Sequence, residues 1–203
     1  MVNWKDLKSL RVIAKIQEIL VKWYDIDILF IDNHCKIDRG TDKNHSYKNS
    51  FLNAQLNQSS AYKYFTQDIE NIFEQIQKND QKTIEIKSGL PHINMIASEI
   101  VIDGQFMGYI LAYPFLSESI SDQEVEEIKE KASEANMDIA TVDRIKKLNN
   151  MQKEYLQEFL EILTNEIVTY HTEITKREER ILDLNNKLEG KFTYHNMIGK
   201  SKP

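Results

Sequence analysis

The sequence is poor in cysteine and proline and has no long apolar run. It has one cysteine and three prolines in 203 residues. The single cysteine, Cys35, excludes an internal disulfide and is typical of a reducing compartment, so we expect a cytoplasmic protein. No apolar run reaches the length that crosses a bilayer, and the first residues do not resemble a secretory signal. We therefore expect no contact with a membrane.

Basic surface and catalytic motifs are also lacking. The net charge is −6, and no basic face is evident that would neutralise phosphates, so we expect no direct binding of nucleic acid. The five histidines are scattered, without the spacing of metal ligands. There is no Ser/His/Asp or Cys/His signature and no glycine-rich phosphate loop. These absences argue against an enzyme, and no cofactor is expected.

The most regular feature is an apolar seam near the end of the chain. Its members alternate at spacings of four and three, the a and d pattern of a coiled coil. They are Leu156, Leu160, Leu163, Ile167, Tyr170, Ile174, Arg177, Ile181, Leu184 and Leu188. We predict one helix over residues 151–189, ended by Gly190, that pairs in parallel with a second copy. Arg177 is the only charged member, and we expect it to make the distal pairing adjustable.

The first half of this helix carries extra apolar residues outside the seam. They are Tyr155, Phe159 and Ile162, whereas the second half has little beyond the seam apart from Leu182. We therefore expect the first half to dock on its own domain while also facing a partner. The second half should face only a partner helix, in the manner of a signalling connector.

The rest of the chain predicts an α+β domain. We expect a Trp4–Tyr24 helix, a buried strand at 26–31, a loop at 38–50, helices at 51–58 and 64–78, and a strand at 83–87. Two strands at 94–101 and 105–113 should form a hairpin at Asp103-Gly104, with a close backbone approach or a bulge at Gly108. Helices at 121–134 and 139–148 should follow. The predicted fold is thus an antiparallel sheet with packed helices at residues 1–150, followed by the long helix.

The end of the chain resembles a known family. The segment Glu189-Gly-Lys-Phe-Thr-Tyr-His-Asn-Met-Ile-Gly-Lys-Ser-Lys-Pro203 is similar to the entry into the ATPase domain of NtrC-type, sigma-54-dependent transcription activators. The matching residues are Phe192, Tyr194, Asn196, Ile198, Gly199, Lys200, Ser201 and Pro203. The resemblance implies that residues 190–203 are a linker and the start of an AAA+ domain. It also implies that the chain is the regulatory part of a longer protein, which acts on sigma-54 RNA polymerase.

An earlier segment resembles a sensory family. Residues 88–113, from Ser88-Gly-Leu-Pro-His to Gly-Tyr-Ile-Leu-Ala-Tyr113, are similar to the distal sheet of PocR-type domains, which are PAS/GAF-like. The break at Asn136-Met137-Asp138 and the long final helix follow the same pattern. The resemblance implies a small, largely apolar ligand. PocR-type domains usually carry a cysteine where this chain has Ser88, so the likeness does not extend to thiol- or metal-dependent sensing.

Seven residues are candidates to line a pocket between the sheet and its helices. They lie after the Gly89-Leu90-Pro91 turn, on the two hairpin strands, and at the start of the 64–78 helix. They are His92, Asn94, Ile96, Tyr109, Tyr113, Tyr62 and Phe65. Tyrosine rings can form a cavity wall while their hydroxyls reach a ligand. Packing in the core, or an ordinary hydrogen bond, is the alternative for each of them.

These observations predict a regulatory, ligand-sensing domain that forms a homodimer and passes its state to an AAA+ ATPase. A ligand would act by preferring one arrangement of the dimer helices. Two alternatives remain open. One is a GAF-type domain that binds a cyclic nucleotide or another phosphate, which needs an anion site. The other is a dimerisation or interaction module without a ligand, which a sealed core would favour.

Overall fold

The computed structural model describes residues 11–37, 47–78 and 81–199. Five α-helices and five strands follow one another in these segments. In chain order they are α1 (Arg11–Tyr24), β1 (Asp27–Asp32), α2 (Ser50–Asn57), α3 (Ser59–Lys78), β2 (Thr83–Lys87), β3 (Asn94–Ile102), β4 (Gln105–Ser117), α4 (Asp122–Glu134), a 3-10 helix (Ile139–Arg144), β5 (Lys147–Leu148) and α5 (Asn150–Gly199). The predicted α+β class is confirmed.

The sheet is built around β4. Four antiparallel strands lie in the order β1-β4-β3-β2, and β5 pairs with β4 in parallel. On one edge of β4, the pairing with β1 ends where Asp27 of β1 lies opposite Tyr113 of β4. The pairing with β5 begins further along β4, at Leu116. The strands β1 and β5 therefore share one side of β4, and β3 occupies the other.

Helices cover both faces of this sheet. On one face Leu29, Ile31, Tyr109 and Leu111 pack with residues of α2, α3 and α4 in one core. On the other face Ile28, Phe30, Ile96 and Ile110 pack with Leu20 of α1 and with the first half of α5. A strand buried on both faces is apolar along its length, which explains the continuous apolar run of β1 that the sequence analysis assigned to a buried strand.

The Asp103-Gly104 turn is confirmed as a hairpin between β3 and β4. Both residues have positive φ, 50° and 76°, as a two-residue turn of type I′ requires. The close approach predicted at Gly108 is also confirmed. This residue has a φ of 141°, and a Cβ added to it would lie 2.1 Å from the carbonyl oxygen of Ile31 on β1. Glycine at this position lets β1 and β4 pair side by side.

Four predicted boundaries are wrong. Helix α3 begins at Ser59, five residues before the predicted start at residue 64. Strand β4 runs past Tyr113 to Ser117. Pro114 has no N–H to donate, but it lies beyond the end of β1, so no hydrogen bond to β1 is lost there. The segment 139–148 is a 3-10 helix followed by β5 rather than one α-helix, because apolar residues three apart fit a 3-10 turn equally well. The last helix continues through Gly190 to Gly199. One glycine in a helix costs only about 1 kcal/mol, so its neighbours can carry the helix through it.

Other boundaries agree with the sequence analysis. The α4 helix begins where the sequence analysis placed it, with a capping box in which the Ser121 and Glu124 side chains each bond the other's backbone. Asn149 and Gln152 form a similar reciprocal pair at the start of α5. Three parts of the chain lie outside the described residues. They are residues 4–10 of the predicted first helix, residues 38–46 of the predicted loop at 38–50, and the last four residues, 200–203.

We predict that Gly108→Ala destabilises the fold by about 2 kcal/mol more than Gly104→Ala. Both glycines have positive φ, which costs any other residue about 1 kcal/mol, but nothing lies within 4 Å of a Cβ added at Gly104. A Cβ at Gly108 instead meets the β1 backbone, so β1 or β4 must shift. Urea unfolding of both variants measures the difference. Equal losses would show that β1 does not approach β4 this closely.

Candidate functional site

Tyr109 and Tyr113 are fully buried, and their hydroxyls are bonded to protein groups. The Tyr109 hydroxyl donates to the carbonyl oxygen of Ile69 at 3.1 Å, and that of Tyr113 donates to Oε1 of Gln55 at 2.7 Å. The Tyr113 ring also packs against Phe65, with 5.7 Å between centroids. At these side chains the space between the sheet and α2/α3 is filled by the protein's own atoms.

A small polar cluster lies inside this core. Asp68 of α3 accepts hydrogen bonds from the Ser88 hydroxyl and from the Gly89 N–H, both at 2.5 Å. The Ser88 hydroxyl oxygen in turn accepts from the Leu90 N–H at 3.2 Å. The amide nitrogen of Gln55 is buried without a partner. These groups hold the start of the loop between β2 and β3 against α3.

Burial changes the acid–base behaviour of this cluster. Loss of solvent around Asp68 raises its pKa to about 6, although its hydrogen bonds to Ser88 and Gly89 act in the opposite direction. Burial also raises the pKa of Tyr113 well above its usual value, and the Asp68 carboxylate adds to this rise. Asp68 is therefore partly protonated near neutral pH, and Tyr113 keeps its proton.

The other end of the same loop is held by contacts between His92 and two glutamates of α4. Nδ1 of His92 lies 3.3 Å from Oε1 of Glu124, and Nε2 lies 2.9 Å from Oε2 of Glu127. His92 has a φ of 60°, a left-handed conformation that is uncommon for residues other than glycine. Its ring therefore bridges two carboxylates of one helix and ties the loop to the first turns of α4.

An open polar cleft of about 140 Å³ lies beside this bridge. It is lined by Lys87, His92, Asn94, Ser117, Ser119, Ile120 and Glu124. The cleft mixes one lysine, one carboxylate and neutral donors and acceptors, so its chemistry suits a small polar molecule. At the start of α4 the N–H groups of Ser121 and Glu124 are already bonded within a capping box, and the Glu124 carboxylate lines the cleft, so a phosphate there would meet a negative charge.

The seven candidate ligand residues lie in four separate places. His92 and Asn94 line the cleft, whereas Phe65, Tyr109 and Tyr113 lie in the core beneath α2 and α3. Ile96 is buried on the opposite face of the sheet, and Tyr62 is exposed. The structure therefore brings His92 and Asn94 together but not the full predicted set.

The sequence analysis did not single out Gln55, Asp68, Glu124 or Glu127 as site residues. A signal for Asp68 was present, since it lies within the apolar periodicity of α3 between Phe65 and Ile72, where a carboxylate must be bonded or protonated. The two glutamates belong to a charge run that the sequence analysis had no reason to single out. Their contact with His92 depends on tertiary structure.

The seam on α5 divides into two parts. Leu156, Leu160, Leu163 and Ile167 are buried against the sheet of their own domain. Tyr170 and Ile174 are half-buried, and every side chain from Lys176 to Leu188 is exposed. Arg177 lies in this exposed part, 3.7 Å from Glu173 one turn earlier. The first part of the seam therefore contacts the domain, and the last part of the seam faces solvent.

Polar contacts fix α5 to the strands β2 and β3. Thr164 of α5 lies 3.3 Å from the Ser98 hydroxyl on β3, and Lys153 pairs with Glu85 of β2 at 2.8 Å. The strands β2 and β3 are joined by the loop that carries Ser88 and His92. The cleft and the long helix are therefore attached to the same two strands.

Several classes of site are absent from the described part of the chain. No group of three or more metal-ligating side chains occurs among those residues, and none of the helices described is apolar enough over a sufficient length to span a membrane. Burial raises the pKa of Cys35, which favours the protonated thiol. Comparisons with family models, curated proteins and solved structures found no match to this chain.

We predict that Asp68 lowers the stability of the protein as pH rises. Its folded pKa of about 6 exceeds the unfolded value of about 4, so its contribution is full below pH 4 and is lost as pH rises to about 6. Asp68→Asn should reduce the loss of unfolding free energy between pH 4 and pH 8 by about 2 kcal/mol.

Urea unfolding at the two pH values measures this difference. Asp138→Asn is the control, because Asp138 is exposed and caps a helix by accepting from the Ala140 N–H. An identical pH dependence in wild type and Asp68→Asn would show that Asp68 is not buried in this way.

Proposed function

We propose that the chain is a dimerising regulatory domain, whose long helix carries the state of the domain to a following ATPase of the sigma-54-dependent activator type. The observation that carries the proposal is the division of α5. Its first half is part of the domain, and its second half exposes the remaining seam residues Ile181, Leu184 and Leu188. A helix that is fixed to a sensing domain and also pairs with a partner links the two.

Physical chemistry supports a partner for the second half. Most of the stability of helices in proteins comes from packing of an apolar face rather than from intrinsic helix propensity. Complete burial of a leucine or isoleucine is worth about 1.5–3 kcal/mol. Three such residues at spacings of three and four, on each of two chains, provide enough apolar surface for a stable pair. A second copy of the same helix is the partner that this heptad pattern favours.

We propose that the two helices run in parallel. In that arrangement Glu166 of one chain lies beside His171 of the other, an attractive pair when the histidine is charged. Both following domains then leave from the same end of the pair. Glu173 and Glu178 would repel across the same pairing, and Arg177 lies between them in the seam. Its contact with Glu173 in the single chain indicates that Arg177 can neutralise this repulsion and set the register.

The loop between β2 and β3 is the part of the domain through which a bound molecule would act on α5. A small polar molecule in the cleft beside His92 and Asn94 would contact the loop, and the loop joins the two strands that hold α5. Such a molecule shifts the dimer only by its difference in affinity for the two arrangements. The filled core at Tyr109 and Tyr113 argues against a ligand beneath the sheet, which favours the alternative of a module without a ligand and leaves the cleft as the place for a ligand. The capped start of α4 argues against the cyclic-nucleotide alternative.

We predict that Leu184→Asp weakens the dimer at least tenfold, whereas Leu182→Asp leaves it nearly unchanged. Both leucines are similarly exposed on α5, at 58% and 63%, but only Leu184 belongs to the seam. An aspartate at position 184 would face its own copy across a dry interface, where unpaired charges are costly. Neither change should alter the unfolding of the domain, because neither side chain packs against it.

Analytical ultracentrifugation of both variants and the wild type provides the measurement. A monomeric wild type at tens of micromolar would contradict the proposal. Equal dimerisation of all three proteins would show that the pair is formed elsewhere.

A further inference from the structure

We infer that the first half of α5 also meets the second copy, through an apolar strip that is separate from the seam. This proximal strip consists of Met151, Tyr155, Phe159 and Ile162 and is flanked by Ile19 and Trp23 of α1. The inference rests on the proposed dimer and identifies a second contact surface within it. The dimer would then be a bundle of α1 and α5 from both chains near the domains, continuing as a two-helix pair.

The proximal strip is open to solvent where the seam beside it is closed. Met151, Tyr155 and Ile162 are 61%, 59% and 58% exposed. Leu156 and Leu163, each next in sequence to a strip residue, are 5% and 0% exposed. Met151, Tyr155 and Ile162 therefore lie on the side of α5 that faces away from the sheet, whereas Phe159 is half-buried and borders the groove beside α1.

The strip and the exposed end of the seam lie along one side of α5. Eleven residues make slightly more than three helical turns, so residues separated by eleven are offset by only about 20° around the helix. Phe159 and Ile181 are 22 residues apart, as are Ile162 and Leu184, and Tyr155 and Leu188 are 33 apart. A partner helix beside Ile181, Leu184 and Leu188 can therefore reach the strip by winding about 40–60° around α5, without crossing the sheet.

The residues between these two apolar parts are compatible with a symmetric partner. At the same eleven-residue spacing the strip passes through Glu166, Tyr170, Glu173 and Arg177. In a pair of identical parallel helices, Arg177 of each chain lies near Glu173 of the other, and Tyr170 lies near its own copy. Each cation in this middle section can thus meet a carboxylate of the partner.

Helix α1 extends the surface sideways. Trp23 is 71% exposed and Ile19 is 43% exposed. Between α1 and α5 lies an apolar groove of about 150 Å³, bordered by Ile19, Leu20, Tyr24, Tyr155, Leu156 and Phe159, with Leu148 and Gln152 completing it. An apolar side chain of the second copy fits such a groove, which adds contact area beyond the two α5 helices.

The charges around the strip argue against a membrane as the occupant. Glu154, Glu158 and Glu161 lie on exposed positions of the same helix segment. A helix that rests on a lipid surface instead carries lysine and arginine on its polar face, which anionic lipids attract. Because the strip also leads into a heptad seam, a second copy of this chain is the occupant that we propose.

A cysteine cross-link tests the strip and the direction of the helices together. The full chain with Cys35→Ser lacks its free thiol, and single cysteines are then introduced as Ile162→Cys or, for control, Glu161→Cys. Both positions are exposed, but residue 161 lies about 100° further round the helix. Under mild oxidation Ile162→Cys should form a disulfide dimer at least tenfold faster than Glu161→Cys. Equal rates, or faster cross-linking of Glu161→Cys, would overturn the inference.

Ultracentrifugation of a second variant separates this inference from the proposed function. Tyr155→Glu with Ile162→Glu should raise the dimer dissociation constant at least tenfold and leave the melting temperature of the domain unchanged, because both side chains are exposed. Ile139→Glu, on the 3-10 helix, is the matched exposed control. If Leu184→Asp weakens the dimer and the double variant does not, the proposed dimer stands and the proximal contact is wrong. If neither weakens it, both are wrong.

Discussion

The contact between the first half of α5 and the sheet is the interaction on which the rest of the structure depends. Leu156, Leu160, Leu163 and Ile167 close the second face of the sheet, which Leu20 of α1 covers in part. Without this layer, Ile96, Ile110 and Phe30 would face water, at a cost of about 1.5–3 kcal/mol for each large apolar side chain. The same contact fixes the direction in which α5 leaves the domain, and therefore where its exposed half can meet a partner.

This contact also gives one helix two different sides. The heptad pattern leads from the distal seam onto the sheet, and the eleven-residue pattern leads from the same distal residues onto the proximal strip. Because the sheet covers the first path, a partner helix can follow only the second, and Arg177 lies where the two paths separate. A shift of α5 against its sheet would therefore also move the surface that a partner contacts.

The loop between β2 and β3 supplies the link to the other side of the sheet. Asp68 holds its first residues and Glu124 with Glu127 hold His92, while β2 and β3 hold α5 through Glu85 and Ser98. Because β2 is the edge strand of the sheet, it can move with less disturbance than β4. A molecule or proton that changes the contacts of this loop with Asp68, Glu124 or Glu127 therefore acts near the ends of β2 and β3, the strands that contact α5.

Much of the fold could be predicted from the sequence, because periodicity and turn chemistry are local. The β1 run, the Asp103-Gly104 hairpin, the Ser121 capping box and the long helix each depend on neighbouring residues. The remaining features depend on tertiary contacts, which a local sequence pattern does not show. The heptad spacing from Leu156 to Leu188 could not reveal that its first half faces a sheet, since a sheet and a partner helix both accept an apolar stripe. The sequence pattern also could not show that Tyr113 bonds Gln55 or that His92 contacts two glutamates of α4.

Hydrogen exchange at several protein concentrations tests the central claim, that α5 is buried by its own domain in its first half and by a second copy in its second half. We predict that the amides of residues 156–167 are already protected at low concentration, because packing on the domain's own sheet holds this part of α5 in a helix. The amides of residues 176–188 should gain protection as the dimer forms. Protection of 176–188 that does not change between monomer and dimer would contradict the account. So would protection of 156–167 that appears only in the dimer.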